Sequence, residues 1–279
     1  MKSRKISVSA IIPFALLLIG ALTMITPFAW MLSTALKGSK AVYQIPPQWI
    51  PNPVDWANFS EIWTSSNLLV GIRNSAFITS IVIIGSTISS SMAAFSFAKM
   101  DFPGKRIFFI ALLSTMMMPG VVLLIPQFMM YTQFKWIDTL YPLIIPASLG
   151  NVSMIFFLRQ YMTGLSSELI DAAKIDGCNY FMIYGKIFVP LSKSAIAANT
   201  IFIFMNTWND YLGPALFTNS KNLQTVQVAI ASLNSYYAEQ TDIPVVMAAS
   251  LIAIIPVLVL FSICQKYFTE SFAMTGIKG

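Results

Sequence analysis

Residues 166–177 read SSELIDAAKIDG, and this short polar stretch decides the fold because both of its ends carry the residues that bound a helix. Either of the two leading serines can cap the first turn, and Glu168 suits the positive end of the helix dipole. Gly177 can adopt the left-handed conformation that stops a helix. The stretch therefore predicts a short helix over residues 168–176.

A second helical stretch follows at residues 180–189, and Pro190 is expected to end it because proline cannot continue the hydrogen-bond ladder of a helix. Together the two stretches predict a rigid helix-turn-helix that lies outside the membrane. Ala172 and Ala173 have small side chains, which would allow another surface to approach this loop closely.

Long apolar stretches occupy the rest of the chain, and a helix that crosses a bilayer needs about 20 mostly apolar residues. Six such stretches are present, at residues 6–36, 74–98, 107–134, 139–158, 194–209 and 243–265. The fifth is short and continues past Asp210 to residue 217. The first follows three cations as a signal peptide would, but its apolar run is too long for one. We therefore expect an all-α integral membrane protein with six transmembrane helices.

The composition agrees with a chain that faces lipid. Of the 279 residues, 56% are hydrophobic and only 10% are charged, and the mean hydropathy is +0.71. A soluble domain carries about 25% charged residues. The net charge of +6 comes without the interleaved basic and aromatic patch that nucleic acid needs, so we expect no nucleic-acid partner.

Several kinds of chemistry are missing from the sequence. It contains no histidine, which excludes His-based triads and His metal sites, and its two cysteines stand apart. It also lacks the G-x-x-x-x-G-K-[ST] loop that cradles nucleotide phosphates. We expect no catalytic residue, metal site or bound cofactor in this chain, and any ATP chemistry must come from a partner.

The distribution of cations gives the orientation, because cytoplasmic loops collect lysine and arginine. With the N-terminus inside, twelve cations are cytoplasmic and five are external. The cytoplasmic set is Lys2, Arg4, Lys5, Lys99, Lys105, Arg106, Arg159, Lys174, Lys186, Lys193, Lys266 and Lys278, and the external set is Lys37, Lys40, Arg73, Lys135 and Lys221. Both termini are therefore expected in the cytoplasm, with cytoplasmic segments at 159–193 and 266–279.

The long external segment at residues 38–68 has two interpretations. It contains paired prolines and three tryptophans, Trp49, Trp56 and Trp63. Aromatic residues of this kind often sit at headgroup depth in a membrane interface. The alternative is a docking surface for an external partner, and the sequence leaves both open.

The loop resembles a known family. Residues 171–173 read DAA, Gly177 follows after three residues, and residues 187–190 read IFVP after nine more. This spacing resembles the EAA loop of binding-protein-dependent ABC importer permeases, Glu-Ala-Ala, x3, Gly, x9, Ile-x-Leu-Pro. Asp171 replaces glutamate and Val189 replaces leucine, and both replacements keep the chemical character of the position.

The resemblance extends along nearly the whole chain and is closest to the carbohydrate-importing branch, in particular to the second permease of maltose-type systems. The segments that carry it are 46–51, 74–75, 125–127, 157–160, 208–211, 265–268 and 276–279. Residues 269–275 depart from the usual glycine-rich pattern. The resemblance implies one permease domain over residues 1–279 with the type I ABC importer fold.

The resemblance also implies the function and the partners. The chain would import a sugar or oligosaccharide across the bacterial cytoplasmic membrane, without being an enzyme itself. A second, homologous permease would complete a heterodimer, two further subunits would bind ATP and Mg²⁺, and an extracellular or periplasmic binding protein would deliver the sugar. The residues implied in coupling to the ATPase are Glu168, Asp171, Ala172, Ala173, Asp176, Gly177, Ile187 and Pro190, and the tail residues implied near it are Gly276 and Lys278.

Polar groups in the spans suggest a translocation path. If the fifth span is helical throughout, Asn206, Asn209 and Asp210 share one face, where amides would suit sugar hydroxyls. Hydrogen bonding between helices, or an Asp210 at headgroup depth, is the alternative. The serine-rich part of the second span, residues 85–91, either lines a pore or allows close helix packing. Residues 116–120, MMMPG, are expected to interrupt the third span as a kink or a gate.

Other function classes fit less well. A secondary transporter driven by an ion gradient would show charged residues in its spans and inverted repeats, and a membrane enzyme would need a nucleophile–base pair or a metal cluster. An amino-acid or phosphate ABC permease would share the EAA loop without the residues at 46–49 and 276–279.

Overall fold

Helices make up every regular element in the part of the chain that the computed structural model describes, residues 8–234 and 241–276. The α-helices are α1 Val8–Ala35, α2 Ala57–Ser65, α3 Leu68–Lys99, α4 Lys105–Thr115, α5 Leu124–Gln133, α6 Tyr141–Ser148, α7 Val152–Thr163, α8 Glu168–Ile175, α9 Tyr180–Ile183, α10 Val189–Leu191, α11 Lys193–Trp208, α12 Leu212–Phe217, α13 Val226–Ala231 and α14 Ile243–Gly276. A π-helical segment, Tyr184–Phe188, joins α9 to α10.

Four helical segments are long and apolar enough to cross a membrane: Ile12–Ala35, Leu68–Lys99, Tyr141–Thr163 and Ile243–Gln265. Two further pairs qualify only when each bent pair is counted as one span, which brings the number to six. The predicted all-α membrane architecture is confirmed. The predicted six spans are reached only with these two pairs.

The third span is broken where the sequence predicted an interruption. Lys105–Thr115 and Gly120–Gln133 meet at 90°. Pro119 lies in the break with an extended backbone, at φ −60° and ψ 127°. Proline has no N–H to donate to a preceding turn, so the helix ends before it and a new one begins after it.

The fifth span differs from the prediction. Helix α11 ends at Trp208, and the stretch that continues to residue 217 is a separate helix, α12. The Asp210 carboxylate accepts the backbone N–H of Gly213 at 3.2 Å, a local bond that competes with the helical ladder. The helical stretch Tyr180–Leu191 instead precedes α11, at a bend of 80°. The fifth candidate span is therefore this bent pair.

The chain divides into two compact units, so the prediction of one permease domain over 1–279 stays a prediction. The first unit holds residues 1–68 and 230–255. In it, the buried Asn58 amide donates to the carbonyls of Ala35 (2.9 Å) and Lys37 (2.8 Å) and so ties α2 to the end of α1. The Lys37 side chain is 1% exposed and lies 4.0 Å from the Trp30 ring centre, and burial lowers its pKa.

The second unit holds residues 69–229 and 256–279, and the loop 159–193 packs against its core. Buried side chains from α3, α7, α8, the stretch Tyr180–Leu191 and α11 form one cluster. They are Ile78, Val82, Ala94, Phe95, Met154, Leu158, Met162, Ile170, Ala173, Ile183, Phe188, Ala195 and Ile203. This core positions both groups of candidate functional residues.

Candidate functional site

The loop helix α8 has the bounds and ends that its sequence predicts. It runs from Glu168 to Ile175, one residue short of the predicted end, and Asp176 caps it. The N-cap residue Ser167 makes no side-chain cap bond, and the Ser166 Oγ instead accepts the Glu168 N–H at 3.2 Å. Gly177 has φ +78°, the left-handed conformation that was expected of it. Local sequence chemistry therefore sets this helix.

The two sides of α8 face different surroundings. Ile170 and Ala173 are each 5% exposed and belong to the core of the second unit. On the other side Glu168, Asp171 and Ala172 are exposed, as are Asp176 and Gly177 beyond the helix. Ile175 is 88% exposed. The prediction that both alanines admit another surface is therefore wrong for Ala173, which packs against its own chain because its side of the helix is the apolar one.

Lys99 anchors the start of α8, and sequence reasoning missed this role. It is the last residue of α3, and its Nζ donates to the Leu165 carbonyl at 2.6 Å and to Ser167 Oγ at 3.4 Å. The ammonium also lies 5.7 Å from the Phe188 ring centre. The sequence counted Lys99 only as a cytoplasmic cation. A lysine at the end of a long span, where its stem can reach a neighbouring loop, is the signal that was available.

The stretch that follows α8 is held by its own contacts. Asn179 caps α9 by accepting the Met182 N–H at 2.9 Å. Lys174 lies 4.9 Å from the Tyr180 ring centre, and its hydrogen bond with Tyr180 is the largest effect that raises the pKa of the lysine. Farther on, the Tyr184 hydroxyl lies 2.7 Å from Ser91 Oγ.

Pro190 does not end this stretch as predicted. It lies in the first turn of α10, where its missing N–H costs no helical bond, and the helix continues to Leu191. Pro190 is exposed, and Ile187 is partly buried beside the core. The loop residues implied in coupling thus come together around one helix-turn-helix, on both its outer and its inner side.

The polar residues of the fifth span are only partly brought together. Asn206 and Asp210 line one cavity of about 190 Å³, and Asn206 also lines a second of about 310 Å³. Asn209 follows the end of α11, and its Oδ1 accepts from Gln227 Nε2 at 3.3 Å. The predicted common face of three residues is therefore wrong, because the helix does not continue through Asp210.

Two further residues line these cavities. The sequence did not predict a site role for Asn151, and it left open whether Ser86 lines a pore or serves helix packing. Asn151 lines both cavities and also caps α7, accepting the Met154 N–H at 3.0 Å. Ser86 lines the smaller cavity, is 1% exposed, and its Oγ has no hydrogen-bond partner among the described residues. Spacing along the chain could not place Asn151 beside Asn206, since only packing of α7 against α11 joins them.

The rest of the serine-rich segment in α3 serves packing. A Cβ on Gly85 would lie 2.7 Å from Ser148 Cβ, so only glycine allows this approach. Ser89 Oγ donates to the Ser148 carbonyl at 3.1 Å, and Ser90 Oγ accepts the Asn151 N–H at 2.8 Å. The packing interpretation is therefore confirmed for Gly85, Ser89 and Ser90, whereas the pore-lining interpretation stays a prediction for Ser86.

Asp138 forms a further polar contact that the sequence did not reveal. Its carboxylate accepts hydrogen bonds from Ser220 Oγ (2.6 Å), Ser220 N–H (2.8 Å) and Asn219 N–H (2.9 Å). These bonds lower the pKa of Asp138, and the bond from the Ser220 hydroxyl has the largest effect. The contact joins the loop before α6 to the loop after α12. It is a structural clamp on the side predicted to be external.

Comparison with known proteins identifies the family. A model of the family described as "Binding-protein-dependent transport system inner membrane component" matches residues 85–273, which is more than half of the chain. The chain belongs to this family of ABC importer permeases. The match covers α8, the Lys99 anchor and the cavity residues of the permease. The family resemblance that the sequence showed is thereby confirmed.

The permease is similar to several curated proteins over most of its length. It is 34% identical over 230 residues to the arabinooligosaccharides transport system permease protein AraQ of Halalkalibacterium halodurans, covering 82% of this chain and 81% of that protein. It is 29% identical over 261 residues to the sn-glycerol-3-phosphate transport system permease protein UgpE of Yersinia enterocolitica, covering 91% and 92%.

A solved structure shares the fold of the permease. A chain of a bacterial ABC transporter involved in the import of the acidic polysaccharide alginate superposes with a TM-score of 0.80 at 24% sequence identity, covering 96% of this chain and 99% of that chain. The ABC importer permease fold that the sequence predicted is confirmed.

The predicted tail residue Lys278 and the predicted N-terminal cations cannot be placed. Lys278 lies outside the described residues, and so do the N-terminal Lys2, Arg4 and Lys5. Gly276 is the last residue of α14. Within the described part of the chain, no group of three or more His, Cys, Asp or Glu side chains is placed to hold a metal ion.

Proposed function

We propose that this permease belongs to an ATP-driven importer and takes up a sugar or oligosaccharide delivered by an external binding protein. ATP hydrolysis in partner subunits drives this uptake by acting on the permease through the cytoplasmic loop 159–193. The observation that carries the proposal is the division of α8 into two sides. One side is buried in the core of the second unit, and the other presents Glu168, Asp171 and Ala172.

The outer side of α8 is suited to a cleft on another protein. Carboxylates of Glu168 and Asp171 stand beside the small Ala172 and the exposed Ile175. A small residue admits a close approach, the aliphatic side chain offers area to bury, and the carboxylates attract cations. The partner proposed here is one of two ATP-binding subunits, which bind ATP and Mg²⁺, since this chain lacks a phosphate-binding loop.

The inner side of α8 is suited to transmit force. Ile170 and Ala173 share one core cluster with Phe95 of α3 and Met162 of α7. Closely packed side chains have low compressibility, so a push on α8 moves the helices behind it as a body. Switching between inward-facing and outward-facing states then requires only that the ATPase subunits contact α8 differently in the two states.

The partners and the orientation follow the same proposal. A second, homologous permease completes a heterodimer in the bacterial cytoplasmic membrane, with both termini in the cytoplasm and Gly276 and Lys278 near the ATPase. The external segment 38–68, with its exposed Trp49, Trp56 and Trp63, offers either a face for the binding protein or an anchor at headgroup depth.

The proposed path runs along Asn206 and Asp210, with Asn151 and Ser86 in the same cavity. Amides, hydroxyls and a carboxylate supply the donors and acceptors that sugar hydroxyls require. The name of AraQ refers to arabinooligosaccharides, and the name of UgpE refers to sn-glycerol-3-phosphate. Both compounds bear several hydroxyl groups, which supports a polyhydroxylated cargo without specifying the compound. Asn209, bonded to Gln227, is left out of the path.

Neighbouring alanines provide the test. The Ala172→Trp variant places a bulky group on the outer side of α8, where nothing in this chain opposes it, so the permease should fold and insert normally. We expect ATP-dependent uptake in reconstituted proteoliposomes to fall to background, and the ATPase subunits to be lost on co-purification, because the close approach is blocked.

The Ala172→Ser variant is the matched control and should retain uptake, because a hydroxyl adds little volume. The Ala173→Trp variant adds the same group to the buried side and should lower the amount of folded permease instead. Normal uptake by a well-inserted Ala172→Trp permease would overturn the assignment of α8 as the coupling helix.

A further inference from the structure

The cavities around the proposed path carry a single charged group. Three adjoining cavities in the second unit have volumes of about 310, 190 and 20 Å³. Asp210 lines the second and third, and the described residues that line any of the three include no lysine or arginine. The only ion pair among the described residues joins Lys105 to Asp101, so none of them links Asp210 to a lysine or arginine.

The position of the Asp210 carboxylate is closely defined. Its Oδ1 accepts the Gly213 N–H at 3.2 Å. A Cβ on residue 213 would lie 2.6 Å from the Asp210 Oδ2, so Gly213 leaves room for the carboxylate in this position and a larger residue would turn it away. The Gly213 backbone therefore holds the Asp210 carboxyl group at the cavity wall.

Other groups in the same cavity point to an uncharged, hydroxylated ligand. Ser86 Oγ is 1% exposed and unpartnered among the described residues, which marks a polar atom that a ligand or water would satisfy. Asn151, Asn206 and Thr207 add amides and a hydroxyl. Groups of this kind exchange hydrogen bonds with vicinal hydroxyls, whereas an anionic cargo would need a cation beside it.

We propose that Asp210 is a specificity-determining residue that makes this permease select neutral sugars over anionic ones, such as uronates and sugar phosphates. The inference rests on the proposed import of a sugar and names the class of that sugar. An anion entering the cavity would lose water and meet a fixed like charge, and neither cost falls on a neutral sugar.

The size of the effect follows from the separation of the charges. Two like charges about 6 Å apart, at the effective dielectric constant of about 20 that suits partly buried sites, repel strongly enough to change affinity roughly a hundredfold. Part of this is lost if the cargo orients its charge away from Asp210. We expect discrimination between about tenfold and a hundredfold.

The test uses the whole importer with its binding protein in proteoliposomes. Arabinotriose, xylotriose and maltotriose are screened as probes, and the one that is taken up is converted to its alditol and to its aldonic acid. Both derivatives have an opened reducing end, and they differ by one carboxylate. The measured quantity is the initial uptake rate of the acid divided by that of the alditol.

The expected result is a change in this ratio with the charge of the cavity. The Asp210→Asn variant, whose amide oxygen can still accept the Gly213 N–H, should raise the ratio at least about tenfold. The Asn206→Asp variant adds a second charge to the cavity and should lower it. The Asn209→Asp variant, at an exposed position that faces Gln227, should lower it less than Asn206→Asp does.

Comparing variants in one complex cancels any discrimination by the binding protein. A ratio that stays the same in both Asp210→Asn and Asn206→Asp, while the alditol is taken up, overturns the inference and leaves the proposed function standing. If the wild-type importer takes up none of the three sugars in an ATP-dependent way, the proposed function fails and the inference fails with it.

Discussion

Replacing Lys99 by methionine removes the ammonium that donates to the Leu165 carbonyl at 2.6 Å and to Ser167 Oγ at 3.4 Å. The unbranched apolar stem remains, so packing at the end of α3 changes little. A hydrogen bond from a charged group contributes about 1.5–3 kcal/mol. Because Lys99 is only partly buried, we take the lower half of this range, which corresponds to about a 10- to 40-fold rise in local opening of the loop.

Hydrogen exchange measures this opening directly. In the permease in lipid nanodiscs, the backbone amides of α8 should exchange about 10- to 40-fold faster in the Lys99→Met variant, while amides in the middle of α3 keep their protection. The Lys99→Arg variant retains a cationic donor and should restore most of the protection. If the loop is the coupling element, uptake per ATP hydrolysed should also fall.

A second lysine serves as the control. Lys105 donates to the Met100 carbonyl at 2.6 Å, a contact of the same kind that does not touch the 159–193 loop. The Lys105→Met variant should therefore leave exchange in α8 unchanged. Equal exchange of α8 in wild type and Lys99→Met would refute the reasoning, since it would mean that the side-chain core alone holds the loop.

Two further predictions concern a turn and a pH dependence. In Gly177→Ala an added Cβ meets nothing within 4 Å, so the only cost is the backbone strain at φ +78°, about 1–2 kcal/mol in the free energy of unfolding. Gly177→Pro forces a negative φ and should abolish uptake while the chain still inserts. Normal uptake by this variant at a normal membrane level would contradict the prediction. Hydrogen bonds from Ser220 and Asn219 hold the pKa of Asp138 in the folded protein below its ordinary 3.8. The ionised Asp138 therefore stabilises the folded state fully above pH 3.8, and this stabilisation is lost as the pH falls through the folded-state pKa. Asp138→Asn, which tolerates the positive φ of 59°, should lower the Tm at pH 7, and the difference from wild type should shrink as the pH falls below 3.8. A difference independent of pH would contradict the carboxylate's role.

Short-range chemistry explains what the sequence predicted well. The bounds of α8 follow from a serine cap and a left-handed glycine, both of which act within a few residues. The break at Pro119 follows from a missing N–H. The long apolar spans follow from composition, and α3 and α14 contain the stretches 74–98 and 243–265 that the sequence indicated.

Tertiary packing explains what the sequence could not give. The direction in which Ala173 points depends on which neighbour α8 packs against, and its equally small neighbour Ala172 carries no signal that separates the two. Pairing Asn151 with Asn206 needs two helices to be adjacent. The end of α11 was readable in principle, because an aspartate three residues before a glycine can cap a new turn, but the apolar run on both sides of Asp210 favoured a continuous helix.

The loop 159–193 and the polar cavity are linked through the same helices. Helix α3 contributes Lys99 to the loop and Ser86 to the cavity, thirteen residues away, which is about 20 Å along the axis. Helix α7 caps at Asn151 in the cavity and contributes Met162 to the core beneath α8. A helix is stiff over this length, so tilting α3 by about 10° around its Lys99 end would move Ser86 by roughly 3.5 Å.

Such a shift is enough to make or break hydrogen bonds to a cargo, whose useful range is only about 2.7–3.2 Å. The cavity should therefore change its affinity when a displacement of α8 tilts α3, a motion that also shifts Ile78 and Val82 in the core. If the proposed function holds, linkage requires the reverse as well: a sugar bound at the cavity would change the affinity of α8 for its partner by the same factor. This reciprocity explains why the anchor at Lys99 matters: a loop that opens locally would absorb the displacement before it reached α3.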